Sequence, residues 1–238
     1  MDRRRTLAAA LVFGLLACGR DPAQDEYFAA LEAADRGAPL EEQLAHVERA
    51  IAIAPEPRAA YFQMRAGYRT SLGDLAGAEA DYGRAIELSE QPYLRFQRAN
   101  LIAHGGEPER ALADYDRAIA AQPENAQFYR GRALARAAVG RAAEALADAE
   151  HLRGELPQQA ETWHARGVAR LALGQARLAL ADFDHTIGAQ PELAFAWSSR
   201  AAARERLGDV QGAAADRAQA EKMAEEKAGC GYCLHPWH

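Results

Sequence analysis

The chain has 238 residues, of which 26% are charged, and its formal net charge is −6. This acidic balance argues against nucleic acid, or an anionic membrane surface, as the main partner, because both attract cationic proteins. Three cysteines are too few for a disulfide-framework domain.

The first 17 residues are expected to be a secretory signal peptide. Arg3, Arg4 and Arg5 form a basic start, and an apolar run from Leu7 to Leu16 follows it. This run of about ten residues is too short to span a bilayer as a helix, which is typical of a signal peptide. We therefore exclude this segment from the predicted fold.

The signal sequence ends at a cysteine. Leucine, leucine and alanine lead directly to Cys18, and this ending resembles the lipobox of bacterial lipoproteins. The resemblance implies cleavage before Cys18, acylation of that cysteine and anchoring in the bacterial cell envelope, with Gly19 favouring the outer membrane. Residues 18–23 would then form the lipidated cysteine and a short tether. A plain signal peptide that contains a cysteine by chance is the alternative.

From residue 24 to 227 the chain repeats a pair of short amphipathic helices. In the best-formed copy two sets of residues have the one-face spacing of a helix: Trp163, Gly167 and Leu171, then Ala176, Leu180, Phe183 and Ile187. Gly174 separates the two helices, because glycine adopts a left-handed conformation at the lowest cost. Pro191 ends the second helix, since proline has no N–H to donate.

The copies recur at a period of about 34 residues. The turn glycine recurs with successive differences of 33, 34, 34 and 34, at Gly73, Gly106, Gly140, Gly174 and Gly208. With its aromatic, alanine and proline positions, the pattern resembles the tetratricopeptide repeat (TPR). The resemblance implies an all-α fold, a right-handed α-solenoid or superhelix of about six helical hairpins. The copies start near residues 24, 59, 92, 126, 160 and 194.

The first and the fourth copies depart from the pattern in ways that bear on the predicted fold. The first has Tyr27 at its aromatic position, but Gly37 and Pro39 stand where one turn glycine is expected, which predicts an irregular turn. The fourth has Ala149 in place of the aromatic residue of its second helix, which predicts a thinner core.

Charged residues also recur at the repeat period. Arginine occupies the seventh position of five copies, as Arg65, Arg98, Arg132, Arg166 and Arg200. Aspartate occupies the twenty-third position of the same copies, as Asp81, Asp114, Asp148, Asp182 and Asp216. Because the two sets occur together, we expect one Arg–Asp pair inside each hairpin; the alternative is an anion-binding arginine stripe.

A second arginine set lies four residues further on, at Arg69, Arg136, Arg170 and Arg204. No separate set of acidic residues matches it at the repeat period. We therefore expect the alkyl stems of these arginines to cover the helix interface while their guanidinium groups face solvent. A basic strip that faces an acidic partner is the alternative.

In the TPR family the first helices of the hairpins line a concave surface. The resemblance implies a protein-binding groove at Phe96, Asn100, Arg130, Leu134, His164, Val168 and Leu171. The lysine and asparagine clamp of the family's chaperone-tail binders is not expected, because only Asn100 matches it. An apolar middle with polar flanks suits an extended peptide or a partner helix. Ordinary surface residues of a spacer are the alternative.

The segment 228–238 carries four potential metal ligands, Cys230, Cys233, His235 and His238. Thiolate and imidazole together suit zinc or copper, so one of these metals is the possible cofactor. A disulfide between the two cysteines, which an oxidising envelope would favour, and a free tail are the alternatives.

The leading functional hypothesis is a membrane-anchored TPR adaptor that binds a protein partner through its groove. The alternative is a metal-binding or redox lipoprotein that acts through the tail. We expect no enzyme and no small-molecule substrate, because zinc-protease, phosphate-loop and nucleophile-elbow motifs are missing. The histidines give no catalytic pattern, since they fall at different repeat positions: His46, His104, His151, His164 and His185.

Overall fold

The structure is a computed structural model that describes residues 21–155 and 159–229. Within them the chain forms twelve α-helices and no strand. In chain order these are α1 Pro22–Asp35, α2 Leu40–Ile53, α3 Ala59–Ser71, α4 Leu75–Leu88, α5 Pro92–His104, α6 Pro108–Ala121, α7 Ala126–Ala138, α8 Ala142–Glu155, α9 Ala160–Ala172, α10 Ala176–Ala189, α11 Ala194–Arg206 and α12 Val210–Gly229. The prediction of an all-α solenoid of TPR hairpins is confirmed.

The chain divides into two compact units, residues 1–94 and residues 95–238. The first unit contains the hairpins α1–α2 and α3–α4. The second contains most of α5, together with α6 and the hairpins α7–α8, α9–α10 and α11–α12. The predicted groove residues all belong to the second unit.

The two helices of each hairpin are joined by a glycine with a positive φ angle. At Gly73, where φ is 83°, the glycine N–H donates to the carbonyl of Thr70 at 3.1 Å, and the N–H of Asp74 donates to the carbonyl of Arg69 at 2.9 Å. These bonds satisfy the carbonyl groups that a helix end leaves unpaired. The Asp74 side chain then caps α4 by accepting from the N–H of Gly77 at 2.9 Å.

The first hairpin corrects two expectations. Its turn is regular, because Gly37 has a φ of 70° and donates to the carbonyl of Ala34, as the other turn glycines do. The departure is confined to Pro39, which precedes α2 and gives it no side-chain cap. Helix α1 begins at Pro22 with Asp21 as its cap, so the array starts two residues before the expected residue 24.

The hairpin core is built from alanines and a few aromatic rings. Phe183 and Tyr115 are almost completely buried, with 0% and 1% of their surface exposed. Around Ala149 the core instead consists of Ala133, Ala165 and Leu152, so the fourth hairpin is the thinner one that its sequence predicts.

In four of the five hairpins that carry the Arg–Asp pair, the buried aspartate binds two arginines. The seventh-position arginines donate to Asp81, Asp114, Asp148, Asp182 and Asp216 at 2.6 to 2.7 Å. This confirms the predicted pairs. Four of these arginines also lie over the aromatic ring of their own helix, as Arg166 does at 4.6 Å from the Trp163 ring.

The expectation for the second arginine set is wrong. Its guanidinium groups bind the same aspartates, from Arg69, Arg136, Arg170 and Arg204 at 2.7 to 2.9 Å. Residues four apart share one face of a helix, so positions 7 and 11 both reach the aspartate. In the third hairpin the eleventh position is Ile102, and Arg95 approaches Asp114 at 3.9 Å.

The histidines also need a correction. His151 and His185 are 34 residues apart and therefore share one repeat position. Each packs on the aromatic residue of its hairpin: the His151 ring is tilted with its centroid 4.2 Å from that of Tyr129, and the His185 ring is stacked with its centroid 4.4 Å from that of Trp163. Their role in the described structure is packing against these rings.

Candidate protein-binding groove

The second unit contains a cavity of about 590 Å³ between the first helices of successive hairpins. Helices α5, α7 and α9 contribute most of its walls, and the segment that leads into α11 closes one side. Five predicted groove residues line it: Phe96, Asn100, Arg130, Leu134 and His164. The structure therefore brings these five together in one place.

Two predicted groove residues lie elsewhere. Val168 and Leu171 pack against the buried cluster of Ala179, Phe183 and Ala203, on the α10 side of the hairpin. They support the wall that carries His164 and do not line the cavity.

The floor of the cavity is aromatic. Phe96 is 5% exposed, and its ring centroid lies 5.1 Å from that of Phe128 and 6.2 Å from that of Tyr115. At the rim, Phe195 is 45% exposed, although it is a large apolar side chain. The sequence analysis missed Phe195, but its place at the second position of the sixth copy was a usable signal. Phe195 therefore adds apolar surface to the rim of the cavity.

Gly131 and Tyr115 fix the side-chain amide of Asn100, which lies opposite this rim. A Cβ atom on Gly131 would lie 2.5 Å from Cε1 of Tyr115, so the ring occupies space that only glycine leaves open. The Tyr115 hydroxyl donates to Oδ1 of Asn100 at 2.7 Å. Burial raises the pKa of Tyr115, so the hydroxyl remains a donor at all ordinary pH values. The NH₂ group of Asn100 is left available to a ligand.

His164 presents a neutral ring to the cavity. Its Nε2 atom lies 2.9 Å from Oγ of Ser199, and its ring centroid lies 4.6 Å from that of Phe195 and 5.7 Å from that of Phe183. Burial, and then the positive charge of Arg130, lower the pKa of His164 to about 4. His164 is therefore uncharged at neutral pH.

The other predicted sites lie outside the described residues. This applies to the lipidation site at Cys18 and to the tail ligands Cys230, Cys233, His235 and His238. Within residues 21–155 and 159–229, no cluster of three or more histidine, cysteine or acidic side chains could hold a metal ion. The same part of the chain has no helix that is long and apolar enough to cross a membrane.

No protein-family model and no curated protein sequence matches the chain. Among solved structures, it resembles a tetratricopeptide repeat protein from Parabacteroides merdae, with a TM-score of 0.73 and 18% identity over 85% of this chain and 80% of the other. It also resembles PilW, described as a widely conserved type IV pilus biogenesis factor, with a TM-score of 0.69 and 18% identity over 85% of this chain and 94% of PilW. A third similar structure is a thermophilic TPR protein of Thermus thermophilus, with a TM-score of 0.64 and 19% identity over 72% of this chain and 94% of the other.

Identities this low are evidence for the fold alone. The fold evidence agrees with the repeat motif, the glycine turns and the hairpin pairing described above. The protein therefore has the fold of the tetratricopeptide repeat proteins.

Proposed function

We propose that the protein is a scaffold that binds a protein partner through the cavity of its second unit. The observation that carries this proposal is the common cavity formed by the first helices of the third, fourth and fifth hairpins. Its volume lies within the range of about 300 to 1,000 Å³ that is usual for pockets that hold small molecules. Its aromatic floor and few fixed polar groups suit one or two side chains of an extended segment or a helix.

The proposal is tested with residues 19–238 as bait for detergent-solubilised envelope. Leu134→Asp places a charge in the cavity wall, and Phe195→Ala removes the exposed ring with little risk to the fold. Leu178→Asp is the matched control, because Leu178 is 50% exposed in the first turn of α10 and does not line the cavity. A partner retained by wild type and the control, but lost by both cavity variants, supports the proposal. A partner that all four proteins retain refutes it.

We also propose that the scaffold is a lipoprotein of the bacterial cell envelope, anchored through Cys18 and preferring the outer membrane. The signal-peptide pattern and the lipobox resemblance support this. The fold is shared with PilW, a type IV pilus biogenesis factor, and a role as a docking platform in envelope assembly would suit the same fold. Cys18→Ser should release the protein from membranes; a variant that still sediments with them has another anchor.

The metal or redox function of the tail stays a prediction. Deleting residues 228–238 separates the tail function from the scaffold function, because a scaffold that binds through the cavity should keep its protein partner without the tail. Metal analysis of the purified full chain, with and without the deletion, tests the zinc or copper site. Loss of partner binding on deletion, with the cavity intact, would favour the tail.

A further inference from the structure

The turns of the last two hairpins form an exposed apolar edge of the second unit. One turn joins α9 to α10, and the other joins α11 to α12; we call residues 173–178 and 206–210 the turn edge. Among the residues of this unit that the structure describes, five large apolar side chains are exposed, and four of them lie at the turn edge: Leu173, Leu178, Leu207 and Val210. Val210 is 71% exposed, so it projects furthest into solvent.

Two arginines lie among these apolar side chains. Arg177 and Arg206 line the same surface pocket of about 490 Å³ as Leu178 and Leu207. Both arginines are exposed, and neither makes an ion pair within residues 21–155 and 159–229. The turn edge therefore combines aliphatic side chains and free cations on one continuous surface.

The acidic residues at the second turn do not neutralise these two cations. The carboxylate of Asp209 lies 3.7 Å from Nε of Arg204 and accepts from the N–H of Gly212 at 2.9 Å. Glu205 pairs with Arg217. Two positive charges thus remain at the turn edge, which is a local exception in a chain whose net charge is −6.

The turn of the second hairpin has the same apolar character without the free charge. Leu72 and Leu75 are exposed there, at the repeat positions that leucine and valine occupy in the last hairpin. Ser71 and Ala76, however, stand where the turn edge has its two free arginines. Exposed apolar side chains are therefore shared between these turns, whereas the free cations distinguish the turn edge.

Aliphatic side chains beside free arginines suit the surface of a bilayer that contains anionic lipids. The aliphatic groups enter the boundary between headgroups and acyl chains, and the long arginine side chains reach back to the lipid phosphates. The core of a protein interface is instead enriched in aromatic residues, and the turn edge contains none. The chemistry of the turn edge therefore favours a lipid surface over a protein.

We propose that the turn edge docks the second unit on an anionic lipid bilayer. This contact is separate from the cavity and does not require an anchor at Cys18. Phe195, at the cavity rim, lies at the opposite end of α11 from Leu207, about 18 Å along the helix axis. A docked turn edge therefore leaves this part of the rim open to a protein partner.

Sedimentation with lipid vesicles tests the proposal. The protein is residues 19–238, which contain all the described residues but lack Cys18. One set of vesicles is phosphatidylcholine, and the other is an equal mixture of phosphatidylcholine and phosphatidylglycerol. Two arginines at an anionic surface should raise the partition coefficient at least about tenfold over that for phosphatidylcholine alone, and added salt should reduce this preference.

Variants assign the preference to the turn edge. The double variant Arg177→Gln, Arg206→Gln should bring the two partition coefficients within about twofold, because it removes both free charges. Val210→Asp should weaken binding to the anionic vesicles. The matched controls are Leu75→Asp, at the corresponding position of the second hairpin, and Arg117→Gln, at an exposed arginine of α6; both should bind like wild type. All these side chains are exposed, and circular dichroism checks that each variant keeps its helices.

Equal sedimentation with the two kinds of vesicle, or none with either, would overturn the proposal. So would a preference for the anionic vesicles that survives the double arginine variant. A photo-crosslinking amino acid at position 210 identifies the occupant in envelope preparations: a lipid adduct is expected, and a protein adduct in its place would show a protein interface instead. None of these outcomes affects partner binding through the cavity, because the pull-down is made in detergent, where Leu178→Asp remains a valid control.

Discussion

Replacing Asp182 by asparagine tests whether the buried aspartates hold each hairpin together. Asp182 is 2% exposed and accepts from Arg166 at 2.6 and 3.1 Å and from Arg170 at 2.9 and 3.0 Å. The substitution keeps the volume of the side chain but removes the charge that both guanidinium groups face. Arg166 is 6% exposed and has little access to water, whereas Arg170 is better placed to turn outward.

Removing one partner of a buried ion pair costs about 3 to 5 kcal/mol. Because Arg170 can regain solvent, we expect the lower part of this range, about 3 kcal/mol, for Asp182→Asn. Asp184→Asn is the control: it lies two residues further along the same helix, has a 53% exposed side chain, and pairs with Arg200 at 2.8 Å. Because Asp184 is exposed and Arg200 keeps its bond to Asp216, we expect a cost of about 0.2 to 1 kcal/mol, as for surface pairs.

Urea unfolding followed by tryptophan fluorescence measures both free energies, since Trp163 packs on Arg166 in the same hairpin. The reasoning fails if the two variants lose equal stability, or if Asp182→Asn loses less than about 1 kcal/mol.

Two further predictions concern the cavity. Gly131→Ala should push the Tyr115 ring aside, which should lower the stability of the protein by about 1 to 3 kcal/mol and weaken partner binding in a pull-down. Gly67→Ala is the control: its Cβ meets nothing within 4 Å, so it should stabilise the protein by up to about 1 kcal/mol. Equal effects of the two variants would contradict the packing argument. The stability that neutral His164 contributes is complete above pH 6.5 and is lost as the pH falls toward about 4, because the unfolded chain binds the proton more tightly. In urea unfolding, the free energy of unfolding should be about 3 kcal/mol lower at pH 4 than above pH 6.5 because of His164. This pH-dependent loss should be absent from His164→Gln. It should remain in the control His185→Gln, because the His185 ring is exposed.

Much of the fold follows from local chemistry that the sequence displays directly. The turn glycines specify the hairpin ends because their left-handed conformation depends on one residue alone. The Arg–Asp pairs were predictable because both partners recur at the same period. The additional arginines were not assigned to the aspartates, because the prediction allowed each carboxylate one partner, although a carboxylate accepts several hydrogen bonds.

The site was less accessible to sequence reasoning. Repeat positions indicate which helix face a residue occupies, so five groove residues could be identified from the motif. Repeat positions do not indicate how closely neighbouring helices approach each other. That distance decides that Val168 packs inward while Phe195 stays at the rim. Gly131 is similar, since its importance depends on the Tyr115 ring from the preceding hairpin. Contacts between hairpins require three-dimensional positions.

A photo-crosslinking amino acid placed at position 195 tests the scaffold account most directly. Position 195 is at the cavity rim, and position 178, with a similar exposed fraction of 50% for Leu178, is the control outside the cavity. The account predicts that illumination of envelope preparations joins one protein partner to position 195 and not to position 178, and that Leu134→Asp abolishes the crosslink. Crosslinks from position 178 alone, or an equal pattern from both positions, would contradict it.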